Sequence, residues 1–222
     1  MMILTKSKNI KIFFIVFSLY IIARSFLFFR FGITVQDFLI NFEGATFFLL
    51  ELLPFYLIGL ALIFGFDENV IFKYRLGFRS KIINFQFKKI LIYTIIFVTL
   101  NFAYSILLFN YFFNFFYYTP PSHFVLLYIT QILTLYLVSG MIVFLNQLNS
   151  LDYKNNILSI YLFILVENFF IFEKLLSKNI PLFTSWSFSE HSSFLKILIL
   201  LGLVLLVYIN AFNKSLNKDY LK

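Results

Sequence analysis

The chain contains no cysteine among its 222 residues. Disulfides, thiolate metal sites and cysteine nucleophiles are thereby excluded, and with them membrane proteases of the cysteine type. Histidine is nearly absent as well, with only His123 and His191, so no HExxH zinc site exists. None of the seven glycines (Gly32, Gly44, Gly59, Gly65, Gly77, Gly140 and Gly202) is followed by lysine, which excludes a P-loop. A GxSxG nucleophile elbow is also missing. Any chemical energy this protein uses must come from another chain.

Charge is the next scarcity. Only 13% of residues are Asp, Glu, Lys or Arg, against 61% hydrophobic residues and a mean hydropathy of +0.91, whereas soluble domains carry about 25% charged residues. This composition belongs to a polypeptide whose solvent is lipid. A helical crossing takes roughly 20 apolar residues, and such runs lie near 10–31, 46–66, 90–112, 124–146, 155–172 and 194–213. The expected fold is all-α, a single transmembrane domain over 1–222 with six spans and no room for a separate soluble domain. The first run follows Lys6, Lys8 and Lys11 as a signal peptide would. It is about twice the usual apolar length and ends in bulky Leu27-Phe28-Phe29 without a small-residue cleavage site, so it reads as a span.

Lys and Arg are retained on the cytoplasmic side of bacterial membranes. Thirteen of them fall in the N-terminal tail, the second-to-third connection, the fourth-to-fifth connection and the C-terminal tail. Four, Arg30, Lys174, Lys178 and the borderline Lys196 at the start of the sixth span, fall on the other side. Both termini are therefore expected in the cytoplasm. The net charge of +8 follows from this retention, and nucleic acid is not an expected partner. Aromatic Phe115-Phe116-Tyr117-Tyr118 and Trp186 suit the outer headgroup belt.

Three groups of residues stand out. Arg24 and Glu51 lie inside the first two spans, where a charge costs roughly 2.5–3.5 kcal/mol on insertion scales and so seeks a partner. Counted at 1.5 Å per residue from the outer ends, both lie about 8–10 Å deep, which predicts an ion pair serving as a clamp, a gate or a substrate contact. Asn101, Gln131, Glu167 and Asn168 form a second intramembrane polar set, expected to hydrogen-bond between helices. The connection Asp67–Lys89 interleaves aromatic and basic residues through Phe72-Lys73-Tyr74-Arg75-Leu76-Gly77-Phe78-Arg79, as an amphipathic helix on an anionic membrane surface does.

The layout resembles the membrane subunits of six-helix ABC exporters, including the small permeases of peptide and lantibiotic self-protection systems in Gram-positive bacteria. The shared features are the cytoplasmic termini, the basic connection ending in Phe85-Gln86-Phe87-Lys88-Lys89, and the longer outer connection before the sixth span. The segment Glu51-Leu52-Leu53-Pro54-Phe55, with Tyr74-Arg75-Leu76-Gly77-Phe78-Arg79 after it, also resembles a Trp-x-Pro family of small bacterial membrane proteins, with Leu52 in place of its tryptophan. The exporter resemblance implies a transporter subunit that is not itself an enzyme and needs no cofactor. It would sit as a multi-pass protein in the bacterial cell membrane and move an amphipathic peptide or lipid-like cargo. It further implies a separate cytoplasmic ATPase subunit and a second permease subunit as partners, with Lys73, Tyr74, Arg75, Phe78 and Arg79 coupling to the ATPase. Two other readings compete: a stand-alone membrane immunity or sensor protein, and the substrate-binding component of a vitamin uptake transporter. The latter's first helix carries small residues at four-residue spacing, which the Phe- and Ile-rich first span lacks.

Overall fold

The computed structural model describes residues 2–31, 47–64, 79–113, 121–148, 153–167 and 190–217. Those residues form six α-helices: α1 (Met2–Arg30), α2 (Leu53–Phe64), α3 (Arg79–Phe113), α4 (Pro121–Leu148), α5 (Tyr153–Val166) and α6 (Glu190–Asn217). A π-helical turn, Phe48–Leu52, leads into α2. The protein is all-helical and built for a membrane. Four helices, within α1, α3, α4 and α6, are long and apolar enough to cross a bilayer. The apolar stretches Phe48–Ile63 and Tyr153–Val166 are shorter, roughly 24 Å and 21 Å at 1.5 Å per residue, against a hydrocarbon core of about 30 Å.

Local sequence explains most boundaries. No proline or glycine interrupts α1, α3 or α5. Proline suits the first position of a helix, where its missing N–H is not needed, and α4 begins at Pro121. The third helix starts at Arg79, well before the expected span start near residue 90. Ile82, Ile83, Phe87 and Ile90 are buried at helical spacing and continue the core-facing stripe back through Lys88 and Lys89, whose charge masks it in a hydropathy reading. Over 79–89 the basic connection is therefore the first turns of α3 and not a separate surface helix. Lys73, Tyr74, Arg75 and Phe78 lie outside the described residues.

Contact registers set the topology. Between α1 and α2 the partners run in opposite order, Phe13 against Gly59, Tyr20 against Phe55 and Arg24 against Glu51. Tyr93 meets Gly59 and Thr94 meets Tyr56 between α2 and α3, while Thr99 meets Tyr128 and Phe87 meets Gly140 between α3 and α4. Asn156 donates to Asn146 across α4 and α5, Tyr161 donates to the Leu49 carbonyl, and Val207 lies against Gly140. Successive helices thus alternate in direction. The C-terminal ends of α1, α3 and α5 share one end of the bundle with the N-terminal ends of α2, α4 and α6.

Lipid tails are as apolar as leucine, so helices in a bilayer associate through close packing and hydrogen bonds more than through burial of apolar area. Among the three described glycines the tightest approach is at Gly59. A Cβ placed there would lie 2.2 Å from the Tyr93 hydroxyl and 2.6 Å from Phe13 Cε1, where α1, α2 and α3 meet. Around this point Phe17 stacks on Phe97 at 4.3 Å, and Tyr56 on Tyr93 at 5.1 Å. Gly140 permits a second, looser approach, where a Cβ would lie 3.3 Å from Val207 Cγ1 and 3.4 Å from Phe87 Cε1. A Cβ at Gly202 on α6 would meet nothing within 4 Å outside its own helix backbone and chain neighbours. Gly59→Ala is expected to destabilise the bundle by roughly 1–3 kcal/mol through overpacking, whereas Gly202→Ala is neutral or stabilising by up to about 1 kcal/mol. Thermal unfolding in mild detergent measures both, and equal midpoints for the two variants would contradict the packing account.

Candidate functional site: a polar layer inside the bundle

Pro54 shapes the entrance to α2. Proline has no N–H to donate and its ring crowds the preceding turn, and here the chain widens, with the Leu53 N–H bonding the Phe48 carbonyl five residues back. Leu49 thereby loses its intrahelical donor, because in this wider register the next N–H would be proline's. The Tyr161 hydroxyl of α5 supplies a bond instead, donating to the Leu49 carbonyl at 3.3 Å. One extra residue in a turn rotates side chains by about 100°. In this register Glu51 reaches α1.

The expected Arg24–Glu51 pair is present, with Arg24 Nε 3.1 Å from Glu51 Oε2. The same carboxylate oxygen accepts from the Tyr20 hydroxyl. Distance and direction tell different stories for Nε, which is within charge contact yet has no aligned hydrogen-bond partner among the described residues. The contact is coulombic more than directional. Aromatic faces complete the enclosure: the Arg24 guanidinium carbon lies 3.8 Å from the Phe47 ring centroid and 4.9 Å from that of Phe28. Arg24 is 11% exposed and Glu51 36%, so the cation is held inside and the carboxylate stands at the edge.

A second buried acid and base lie at the same end of the bundle. Glu167, just beyond α5, and Lys196, in the first turns of α6, are both buried, and the Glu167 carboxylate acts electrostatically on the Lys196 ammonium. In the sequence Lys196 stands at the border of the sixth span and counts as a topology marker. Its place within the apolar run Phe194-Leu195-Lys196-Ile197-Leu198 was the available signal. Asn168 lies outside the described residues. Asn101 and Gln131 are each 1% exposed, but Asn101 Nδ2 and Gln131 Oε1 find no hydrogen-bond partner among the described residues. Buried hydroxyls also make interhelical contacts.

Those hydroxyls centre on Tyr56, fully buried on α2. Its hydroxyl contacts Thr94 Oγ1 of α3 at 2.7 Å and Ser139 Oγ of α4. Thr94 can donate to the Ile90 carbonyl and Ser139 to the Leu135 carbonyl; the single Tyr56 proton serves one of the two hydroxyls, and the other donates to the tyrosine oxygen in place of its own carbonyl. Tyr93 adds a bond from its hydroxyl to the Tyr56 carbonyl at 2.9 Å. Tyr128 and Thr99 pair at 2.7 Å on the exposed side of α3 and α4. No single-sequence signal distinguishes these tyrosines from the other residues of an aromatic-rich chain.

Carried along the helices at 1.5 Å per residue, the registers place Asn101, Gln131 and Lys196 within about 8 Å of one another along the bundle axis. Arg24 and Glu51 lie in the same half. Among the described residues the buried charges, with Asn101 and Gln131, therefore lie towards one end, the end expected to face outward, while Tyr56 and the packed aromatics fill the middle and the buried amides of Gln147 and Asn156 lie towards the other end. No protein-family model, curated protein or solved structure matches this chain.

Reversing Arg24 to Glu or Glu51 to Arg alone leaves two like charges in the layer, and each single variant is expected to lose roughly 3–5 kcal/mol. The double reversal is expected to recover much of that loss in membrane expression and thermal stability. No recovery in the double variant would show that direct pairing is not what holds these residues. Tyr56→Phe is expected to cost about 0.6–1.7 kcal/mol, the range of interhelical hydrogen bonds in membranes, read in the same unfolding assay.

Proposed function

We propose that this chain is the membrane-spanning, non-enzymatic subunit of an ATP-driven bacterial exporter, with ATP hydrolysed by a separate cytoplasmic subunit and a second permease subunit completing the path. The observation that carries the reading is the continuity of α3. Its 35 residues run without a break from Arg79 through the Tyr93–Thr94 contacts to Phe113. A force applied at the basic segment before it would pass as a rigid-body displacement, because a helix transmits axial load through its own hydrogen bonds. That displacement would reach α1 at Phe17 and Phe97, α2 at Tyr56, and α4 at Ser139 through the shared hydroxyls.

In this reading Lys73, Tyr74, Arg75, Phe78 and Arg79 meet the ATPase, and the Arg24–Glu51 and Glu167–Lys196 pairs hold the outward end. The absence of a P-loop supports an external ATPase. The cargo class is an amphipathic peptide or lipid-like molecule, taken from the bilayer or its outer surface.

Purification from the native host in mild detergent tests the proposal when wild type is compared with Lys73→Glu/Arg75→Glu/Arg79→Glu. An ATPase subunit is expected to co-purify with wild type and to be lost from the triple variant, identified by mass spectrometry. An ATPase bound equally to both would remove coupling from the basic segment. Absence of any ATPase from both samples would move the reading to a stand-alone immunity or sensor protein.

A further inference from the structure

We propose that the π-helical turn Phe48–Leu52 is a two-register switch that engages α1 and α5 together and can release them together. The inference does not depend on ATP-driven transport, because it follows from the backbone accounting around Pro54.

Proline removes one N–H from the ladder, so one carbonyl in the preceding turn goes without its intrahelical bond in either register. In the observed π register that carbonyl is Leu49, and Tyr161 of α5 covers it. In an α-helical register the Leu53 N–H would return to Leu49, and the uncovered carbonyl would be that of Leu50, whose side chain is exposed on the outside of the bundle. Tyr161 therefore selects the π register by offering its hydroxyl where only that register has an open acceptor. Narrow π-helical insertions in α-helices recur at functional sites for this kind of reason.

The body of α2 stays in place while the turn changes. Tyr56 is tied to Thr94 and Ser139, and Gly59 is wedged against Tyr93 and Phe13. Conversion of the turn would then rotate Phe48–Leu52 by about 100° and shift it by about 1.5 Å along the axis. Glu51 would swing away from Arg24 and Tyr20, and the Leu49 carbonyl would leave Tyr161. Contacts to two different helices break in one step. Glu51 is partly exposed at the edge of the bundle, so its carboxylate can turn outward, while the buried Phe48, Leu49 and Leu52 repack as the turn rotates.

The absence of cysteine permits site-specific spin labelling without background removal. Cysteines at Leu50 and Val125, both exposed, report on the turn against α4, and cysteines at Ile58 and Val125 report on the body of α2. In lipid vesicles, Tyr161→Phe and Arg24→Gln act from different helices and are both expected to raise the same second population in the 50–125 distance. A label carried at about 5 Å radius moves on the order of 8 Å through such a rotation. Pro54→Ala restores a full α-helical ladder and is expected to favour that population further. The 58–125 distance is expected to stay unchanged throughout. A 50–125 distribution identical to the unsubstituted background in all three variants would overturn the switch. So would a joint shift of both distances, since that is movement of the whole helix and not a change of register.

Discussion

A bilayer withdraws the driving force that folds soluble bundles, since leucine against leucine is no better than leucine against lipid. What remains is contact distance and hydrogen bonding, and both converge here on two successive turns of α2. Gly59 lets Tyr93 and Phe13 touch the backbone, and Tyr56 gives three helices a common hydroxyl contact. The aromatic stacking of Phe17, Phe97 and Tyr93 fits around that approach. α2 is the shortest helix of the bundle, yet α1, α3 and α4 are all located by it.

The same solvent dictates how the ionic groups are housed. An isolated charge in hydrocarbon is costly, so Arg24 and Glu51 meet across two helices, and Glu167 and Lys196 act on each other across two more. Both pairs lie at the end where α1 and α5 finish. The bundle thus has a hydroxyl-bonded and aromatic middle and a charged end where Arg24 contacts Glu51 and Glu167 acts electrostatically on Lys196. A protein that must move within a membrane gains from that division, because charge pairs can be exchanged for other partners while close packing cannot be deformed gradually. Pro54 sits at the boundary between the two regions, where its missing N–H has been turned into a contact with α5.

Sequence reading went far on the membrane character and less far on the interior. The apolar runs gave the helices because lipid imposes a length and a composition that few other environments impose. Arg24 and Glu51 were legible as a pair because charge is rare in a span and depth can be counted from its end. Lys196 was not, since a cation near a helix end serves equally as a topology marker. The early start of α3 was hidden because hydropathy averages over Lys81, Lys88 and Lys89, although the apolar spacing of Ile82, Ile83, Phe87 and Ile90 already described a helix. Asn101 and Gln131 are buried intramembrane polar residues legible in the sequence, whereas the contacts of Tyr56, Thr94 and Ser139 were not. Hydroxyls satisfied by their own helix backbone carry little cost in lipid and so leave no compositional trace.

What the sequence by itself determined is the all-helical, membrane-embedded class, the absence of a P-loop motif and the need for Arg24 and Glu51 to find each other. These follow from composition, motif and depth, which are properties of a chain taken one segment at a time. Only the tertiary structure decided that Tyr56 joins three helices, that Gly59 makes the tightest approach among the three described glycines while Gly202 faces open space, and that Pro54 produces a π-helical turn capped from α5. Those outcomes depend on which residues of distant segments share a level in the bundle, and the period of a single helix carries no record of its neighbours.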